Sequence, residues 1–322
     1  MASPTWLTLE VTDLRSEAKD VLVIELRDRA GAELPRFAAG AHLEVHLGNG
    51  LIRHYSLCND PAETRRYCIG VGLARESRGG SRFIHRSLRV GMTLKVGPPR
   101  NHFPLEDCAP EYAFIAGGIG ITPIMAMIRT CEALGRPWRL FYCARNRQRT
   151  AFYEELQAIG ASRCHFHFDD EQDGRLFDAA AALSSVPDAA HVYTCGPAPL
   201  MSAVQAAATH RPAERVHFEW FSGAAAADTS AASDRPFTIV LARSGRRLEV
   251  PPGRSILEIL EDNGEGIPSA CREGLCATCR IGVVSGTPEH RDQVLTEGEK
   301  QAGKDIIACV SRSRSEVLEL DL

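Results

Sequence analysis

Cys271-Arg272-Glu273-Gly274-Leu275-Cys276-Ala277-Thr278-Cys279, with Cys309 near the end of the chain, is the stretch from which the rest of the sequence can be read. The spacing is Cys-x4-Cys-x2-Cys followed by one distant cysteine, a pattern that holds a [2Fe–2S] cluster. Four thiolates are wanted there because each ferric iron takes two soft anionic ligands beside the bridging sulfides. A structural zinc site is the alternative, but zinc ligands come as two Cys-x2-4-Cys pairs. Here the fourth cysteine stands alone, on an expected strand from Ile306 to Val310. Gly264, Gly266, Ala270, Gly274 and Ala277 crowd the approach to the loop. Small residues let backbone N–H groups reach the cluster sulfurs, which stabilises the charge added on reduction. Cys271, Cys276, Cys279 and Cys309 are therefore the expected metal ligands.

The chain around this loop reads as a small domain over 235–322. Strands are expected at Phe237 to Leu241 and Leu248 to Val250, then a helix from Ser255 to Asn263. Ser255 is its expected N-cap and Glu258 the capping-box partner. Ahead of it, Gly223 to Asp234 is mostly Ala, Ser, Thr and Asp, with no apolar anchor. It reads as a linker over 224–234, an alanine-rich helix being the alternative.

Further towards the N-terminus, strand and helix alternate. Tyr112 to Ala116 is a short apolar strand, followed by a glycine turn and a helical stretch from Pro123 to Leu134. Strands near Leu140 to Cys143, His165 to Phe168 and Val192 to Thr194 are separated by helices at Phe152 to Ala158 and Phe177 to Leu183. A last helix follows Pro197. This βαβ spacing predicts a parallel sheet with helices on both faces over 109–223. Gly117-Gly118-Ile119-Gly120-Ile121-Thr122-Pro123 closes the first strand and opens a helix, and Thr194-Cys195-Gly196-Pro197 closes the last. Ligands of open α/β sheets bind at the carboxyl ends of strands, so both turns are expected to share one crevice.

Residues 1–108 read as antiparallel β. Leu22, Ile24 and Leu26 alternate with Val23, Glu25 and Arg27, and Leu43, Val45 and Leu47 with His42, Glu44 and His46. Short strands broken by Gly, Asn and Pro turns predict a small barrel or sandwich. Arg53-His54-Tyr55-Ser56-Leu57 ends one such strand before the turn residues Asn59, Asp60 and Pro61. An arginine fork can hold a phosphate bidentately. Gly79-Gly80-Ser81 opens a helical stretch from Phe83 to Leu88, and free N–H groups at a helix N-terminus favour the same anion.

The bulk numbers fit a multidomain globular protein. The chain has 322 residues, 44% hydrophobic and 24% charged. A formal charge of -4 argues against nucleic acid or an anionic membrane as partner. No apolar run approaches the roughly 20 residues that span a bilayer, and the first thirty residues lack a secretory h-region. The expected location is cytoplasmic. Among the eleven cysteines, Cys58, Cys68, Cys108, Cys131, Cys143 and Cys164 are scattered singly, and most read as small buried hydrophobes.

Taken together, these segments resemble a known family. Arg53-x-Tyr55-Ser56 and the two nicotinamide turns are similar to the ferredoxin–NADP reductase superfamily, and the cysteine spacing to plant-type ferredoxins. The order of parts resembles the phthalate dioxygenase reductase family, whose relatives include vanillate demethylase reductases. Pro99-Arg100-Asn101-His102-Phe103-Pro104-Leu105 and His217-Phe218-Glu219-Trp220-Phe221 add to the likeness. The resemblance implies FMN rather than FAD, NADH as donor and a Rieske-type oxygenase as acceptor; the chain is expected to be monomeric. It implies that Arg53, His54, Tyr55, Ser56, Gly70, Val71, Gly79, Gly80 and Ser81 hold the flavin. It gives Gly117, Gly118, Gly120, Thr122, Pro123, Cys195, Gly196 and Pro197 to the nicotinamide cofactor. Ser56, Cys195, Glu219 and Phe221 fall at the place of hydride transfer, Phe221 stacking on the flavin. Gly70 and Gly72 depart from relatives that carry longer side chains there. A reductase of a diiron monooxygenase or a cytochrome P450 is the nearest rival, and a non-enzymatic iron–sulfur carrier the next.

Overall fold

The structure is a computed structural model describing residues 6–74, 77–221 and 234–322. It divides into two compact units, Met1–Phe221 and Ser222–Leu322. The expected linker lies outside the described residues except for Asp234.

The first unit begins with strands β1 (Leu7–Ala18), β2 (Val21–Asp28), β3 (Ala41–His46), β4 (Ile52–Ser56) and β5 (Tyr67–Gly72). Helix α1 (Gly80–Ser87) and strands β6 (Thr93–Val96) and β7 (Arg100–Asn101) follow. The sheet order is β4-β3-β6-β1-β2-β5, with β7 on β3. An antiparallel bridge from Leu57, one residue past β4, to Ile69 of β5 joins the two edges and closes a barrel. Closure removes the exposed strand edges that an open sheet would leave for aggregation. The alternation read in the sequence is what fills the barrel: Ile24, Leu26, Leu43 and Val45 are buried with Leu9, Val11, Leu57 and Ile69. Each such side chain contributes roughly 1.5–3 kcal/mol on burial.

The same unit continues as α/β: β8 (Tyr112–Gly117), α2 (Ile121–Ala133), β9 (Trp138–Ala144), α3 (Tyr153–Gly160) and β10 (Cys164–Phe168). Then come α4 (Ala179–Ser184), β11 (His191–Gly196), α5 (Ala198–Ala207) and β12 (Val216–Trp220). The sheet is parallel, ordered β10-β9-β8-β11-β12. β8 is buried along its whole length, as a central parallel strand covered on both faces must be. Strand order reverses between β8 and β11, which makes the carboxyl ends of these two strands the switch point where ligands lodge.

Barrel and α/β layer share a core. Val21, Val23, Cys58 and Cys68 of the barrel are buried in one cluster with Tyr112, Ile124, Met127, Ile128 and Cys131. A boundary at residue 108, expected from the change in pattern, therefore marks a change of architecture inside one compact unit. Of the scattered cysteines, Cys58, Cys68, Cys131 and Cys164 are buried, whereas Cys108 is exposed.

The second unit holds β13 (Phe237–Leu241), β14 (Arg247–Val250), α6 (Ile256–Asp262), β15 (Arg280–Ser285) and β16 (Pro288–Glu289). α7 (Glu297–Ala302), β17 (Asp305–Ile307), β18 (Arg312–Ser313) and β19 (Val317–Leu320) complete it. Its main sheet runs β14-β13-β19-β15-β17. The Ser255–Glu258 capping box is formed at α6, and Ile256, Leu257, Ile259 and Leu260 turn into the core. One expectation needs correction. Cys309 is not on a strand: β17 stops at Ile307 and the chain turns, with Val310 and Ser311 N–H both donating to the Ile307 carbonyl. The turn lifts Cys309 off the ladder while Ala308 N–H still reaches the Cys279 carbonyl. No helix among the described residues is long and apolar enough to cross a membrane.

Candidate functional site

The crevice of the first unit is built by the two turns at the carboxyl ends of β8 and β11. They approach so closely that side chains are excluded. A Cβ on Gly120 would overlap the Cys195 carbonyl, and one on Gly196 would lie 3.0 Å from the backbone of Gly117. A Cβ on Gly117 would meet Pro197 and Leu200. Gly118 differs: its φ is +52° and nothing lies within 4 Å of where a Cβ would be, so it faces open space. Three of the glycines thus serve backbone packing, and Gly118 is the one placed to let a pyrophosphate come close. Thr122 is buried, with its hydroxyl on the Ile119 carbonyl, and Pro123 lies in the first turn of α2.

Against this turn lies β5. A Cβ on Gly70 would sit 2.5 Å from Thr122 Cγ2, and one on Gly72 3.4 Å from Ile119. Gly70 and Gly72 are two of the places where barrel and α/β layer touch. Val71 between them points its side chain into the barrel core, and its carbonyl is hydrogen-bonded to His85 Nε2 at 2.9 Å.

Cys195 sits opposite Ala116 on one side and Glu219 on the other, and is wholly buried. Ser56 at the end of β4 donates to Glu219 Oε2 at 3.4 Å. Residues far apart in sequence therefore meet at one point beside the switch. Burial pushes the Glu219 carboxyl up to about 8, with the Ser56 hydroxyl pulling the other way. At neutral pH this group is mostly protonated and can donate a hydrogen bond. Burial, and then the Glu219 charge, raise the Cys195 thiol well above its ordinary range. It is a neutral packing group, not a nucleophile. Phe221 follows β12 and is 38% exposed, an unusual setting for an aromatic ring at a strand end.

On the barrel, Arg53 donates to the carbonyls of Ile52 and Arg78. Its side chain runs along Gly80, where a Cβ would come 2.8 Å from Arg53 Nε. The guanidinium is thereby held at the N-terminus of α1, whose cap, Gly79, has φ +92° and no side chain to offer. Ser77 Oγ takes the Gly79 and Arg82 amides, and a cation beside the remaining amides of Gly80 and Ser81 fits a phosphate, which is what the FMN tail would bring. Ser81 Oγ accepts from Ala74 N–H and donates to Ser77 Oγ. Tyr55 packs partly against the barrel core, and burial raises its phenol to about 12. His54 lies on the other face of β4, 3.6 Å from Glu44.

In the second unit the four cysteines come together. Cys271 is within hydrogen-bonding reach of Cys276 and Cys309, and Cys279 of Cys309. No set of three His, Cys, Asp or Glu among the described residues closes on a single ion. Through these contacts the four thiols form one run of neighbours, Cys276, Cys271, Cys309 and Cys279. Backbone amides are aimed at the sulfurs: Glu273 N–H reaches Cys271 Sγ at 3.4 Å, with Leu275 also on Cys271 and Gly274 on Cys309. The contacts from Cys276 and Cys309, with these amides, draw the Cys271 thiol far below its usual range. Positive φ at Arg272, Gly274 and Ala277 winds the loop so that its N–H groups face inward. The donor set and its amides fit a [2Fe–2S] cluster. Sequence reasoning expected such amides from the small residues but could not say which ones reach which sulfur.

Residues 239–314 match the 2Fe-2S iron-sulfur cluster binding domain family, and residues 114–206 the oxidoreductase NAD-binding domain family. With the geometry above, these define an NADH-dependent flavin and iron–sulfur oxidoreductase. The chain is 43% identical over 316 residues to phenoxybenzoate dioxygenase subunit beta of Ectopseudomonas oleovorans, covering 98% of this chain and 97% of that one. It matches the solved structure of phthalate dioxygenase reductase with TM-score 0.73 and 41% identity, over 98% of both chains. It also matches an intact type IV self-sufficient cytochrome P450 monooxygenase with TM-score 0.89 and 39% identity, over 98% of this chain but 41% of that one. The chain belongs to the phthalate dioxygenase reductase family, and its cofactors are FMN, a [2Fe–2S] cluster and NADH.

Proposed function

We propose that this chain is the reductase component of a Rieske-type oxygenase system acting on aromatic compounds, and that it works as a cytoplasmic monomer. The observation that carries this reading is the end-to-end match, at 98% of both chains, with a phthalate dioxygenase reductase. When bound, FMN would supply a two-electron acceptor for the hydride of NADH that can release a proton and two separate electrons, and the [2Fe–2S] cluster a one-electron carrier.

The chain's own residues then have defined work. Arg53 and the amides of Gly80 and Ser81 would hold the flavin phosphate, with Tyr55 on the same face of β4 and only the backbone of His54, Gly70 and Val71 available to the flavin. Gly118 admits the NADH pyrophosphate, beside Gly117, Gly120, Thr122, Pro123, Gly196 and Pro197. Ser56, Cys195 and Glu219 meet where nicotinamide and flavin must face each other. Glu219, its carboxyl raised by burial, and the Ser56 hydroxyl that donates to it would hold a proton at this point. Phe221 covers the flavin until the nicotinamide takes its place. Cys271, Cys276, Cys279 and Cys309 ligate the irons.

The test is reconstitution. The purified holoprotein is mixed with a Rieske-type oxygenase of aromatic substrates, a P450 and a diiron monooxygenase, each supplied with NADH. Coupled oxygenation by the Rieske-type enzyme alone is expected. Transfer to the P450 in its place would support the second reading, which rests on the likeness to the self-sufficient P450.

A further inference from the structure

Behind the cysteine loop lies a buried acid and base that the electron path described so far leaves unused. His290 and Asp292 follow β16, with side chains only 9% and 0% exposed. Both ring nitrogens of His290 and the Oδ2 of Asp292 are buried without a hydrogen-bond partner. His290 Nδ1 stands 3.7 Å from Asp292 Oδ2, just beyond bonding reach. The other carboxylate oxygen is satisfied, taking Val294 N–H at 3.1 Å and Leu295 N–H at 2.7 Å. Buried polar atoms are rarely left in this state, and three in one pair call for an explanation.

The surrounding charges do not supply it. Arg291 pairs with Asp234 and Glu289, each at 2.7 Å, and Arg312 with Asp234 at 3.3 Å. Two cations and two anions cancel. On the facing loop, Arg272 is held by Glu261. Among the described residues, that leaves Asp292 with His290 as its one counterpart.

The pair is connected to the cluster loop through a single residue. Gly274, at φ +72°, is pressed so close that an added Cβ would lie 3.1 Å from Asp292 Cα. Its carbonyl accepts Gln293 N–H at 3.0 Å, and its own N–H is one of those aimed at Cys309. A charge change on the sulfurs is thus one residue away from the pair, with low-dielectric protein between.

We propose that His290, paired with Asp292, is a proton-binding site coupled to the iron–sulfur cluster. His290 takes one proton from water when an electron reaches the cluster, and returns it when the electron leaves. Protonation closes the gap to Asp292 and offsets the added negative charge. By linkage the effect is reciprocal: the proton raises the cluster's reduction potential as much as the electron raises the proton affinity. His290 acts through Gly274, so it is a positioning residue and touches no iron ligand in this argument. The inference rests on the cluster occupying the four cysteines.

The test is a redox titration of the full holoprotein, followed by the paramagnetic signal of the reduced cluster, from pH 5.5 to 9. A tenfold change in proton activity corresponds to about 59 mV for a one-electron couple. The wild-type potential is expected to fall as pH rises, approaching that slope per pH unit inside one window. In His290→Gln the profile becomes flat. In Asp292→Asn the window moves to lower pH, because the counter-charge that favours the imidazolium is gone. A flat wild-type profile overturns the proposal, and so does a slope that survives in His290→Gln. If that variant assembles no cluster, an unmoved window in Asp292→Asn overturns it. A wild-type sample with no paramagnetic signal at all would strike at the cluster assignment instead.

Discussion

The cysteine loop of the second unit and the crevice of the first hold their reactive groups by opposite means. In the loop, three of four ligands fall between Cys271 and Cys279, and positive φ at Arg272, Gly274 and Ala277 aims the amides. In the crevice, Ser56 and Glu219 are 163 residues apart and meet only because a barrel and a parallel sheet share a core. One site is written in spacing, the other in tertiary packing. The loop should therefore fail by loss of a ligand, and the crevice by loss of fit.

The largest effect is expected in the loop. Cys276→Ser removes a thiolate that no neighbouring side chain replaces. NADH-dependent reduction of an artificial dye should persist, while transfer to a one-electron protein acceptor falls to background. Stopped-flow absorbance of flavin and acceptor separates the two. Retained transfer would break the comparison at its stronger end.

Next comes Arg53, whose fork stands at the mouth of α1. A hydrogen bond to a charged group is worth about 1.5–3 kcal/mol, so Arg53→Ala should weaken FMN binding roughly 10- to 100-fold. The variant should purify with little flavin absorbance while its cluster spectrum is kept. A normal flavin-to-protein ratio would place the phosphate elsewhere.

How much could be read in advance follows from the same contrast. The four thiols, the βαβ run, the Ser255–Glu258 cap and the alternation in β2 and β3 are local patterns, and the fold repeats them. Closure of the barrel was not legible, because it hangs on one bridge, Leu57 to Ile69, between residues with no distinctive chemistry. Cys309 was placed on a strand because Ile306 to Val310 looks like one. The turn after Ile307 depends on hydrogen bonds that apolar spacing does not encode. The close approach of Gly70 and Gly72 to Thr122 and Ile119 was not legible either, because those side chains belong to another layer. Elevation of the Glu219 carboxyl needed burial, which the string His217-Phe218-Glu219-Trp220-Phe221 does not reveal.

Within the crevice, the two kinds of glycine can be told apart by alanine. Gly120→Ala drives a methyl into the Cys195 carbonyl, which is backbone and cannot step aside. A loss of about 3 kcal/mol or more is expected, with NADH affinity falling alongside. Gly118→Ala meets no neighbour but keeps a positive φ, so its stability loss should be only about 1–2 kcal/mol. Thermal unfolding of the two variants against wild type measures the gap. Equal losses would mean that the turns are not packed as described.

The finest test of the crevice lies in the protonation of Glu219. Its carboxyl is raised from 4.5 to about 8 by burial. Between those values the native state keeps a proton that the unfolded chain has released, so stability must fall as pH rises through that window. Below it both states are protonated, and above it both are ionised, the native one at a disadvantage of roughly 4–5 kcal/mol. Glu219→Gln has no such proton to lose. Near pH 5 its urea midpoint should lie close to wild type, and by pH 9 it should be the more stable protein. If the two pH profiles run parallel, Glu219 ionises normally and the crevice is wetter than its packing implies. The idea of a carboxyl kept neutral beside Ser56 would then be lost, while the cysteine loop, held by its own backbone, would stand unaffected.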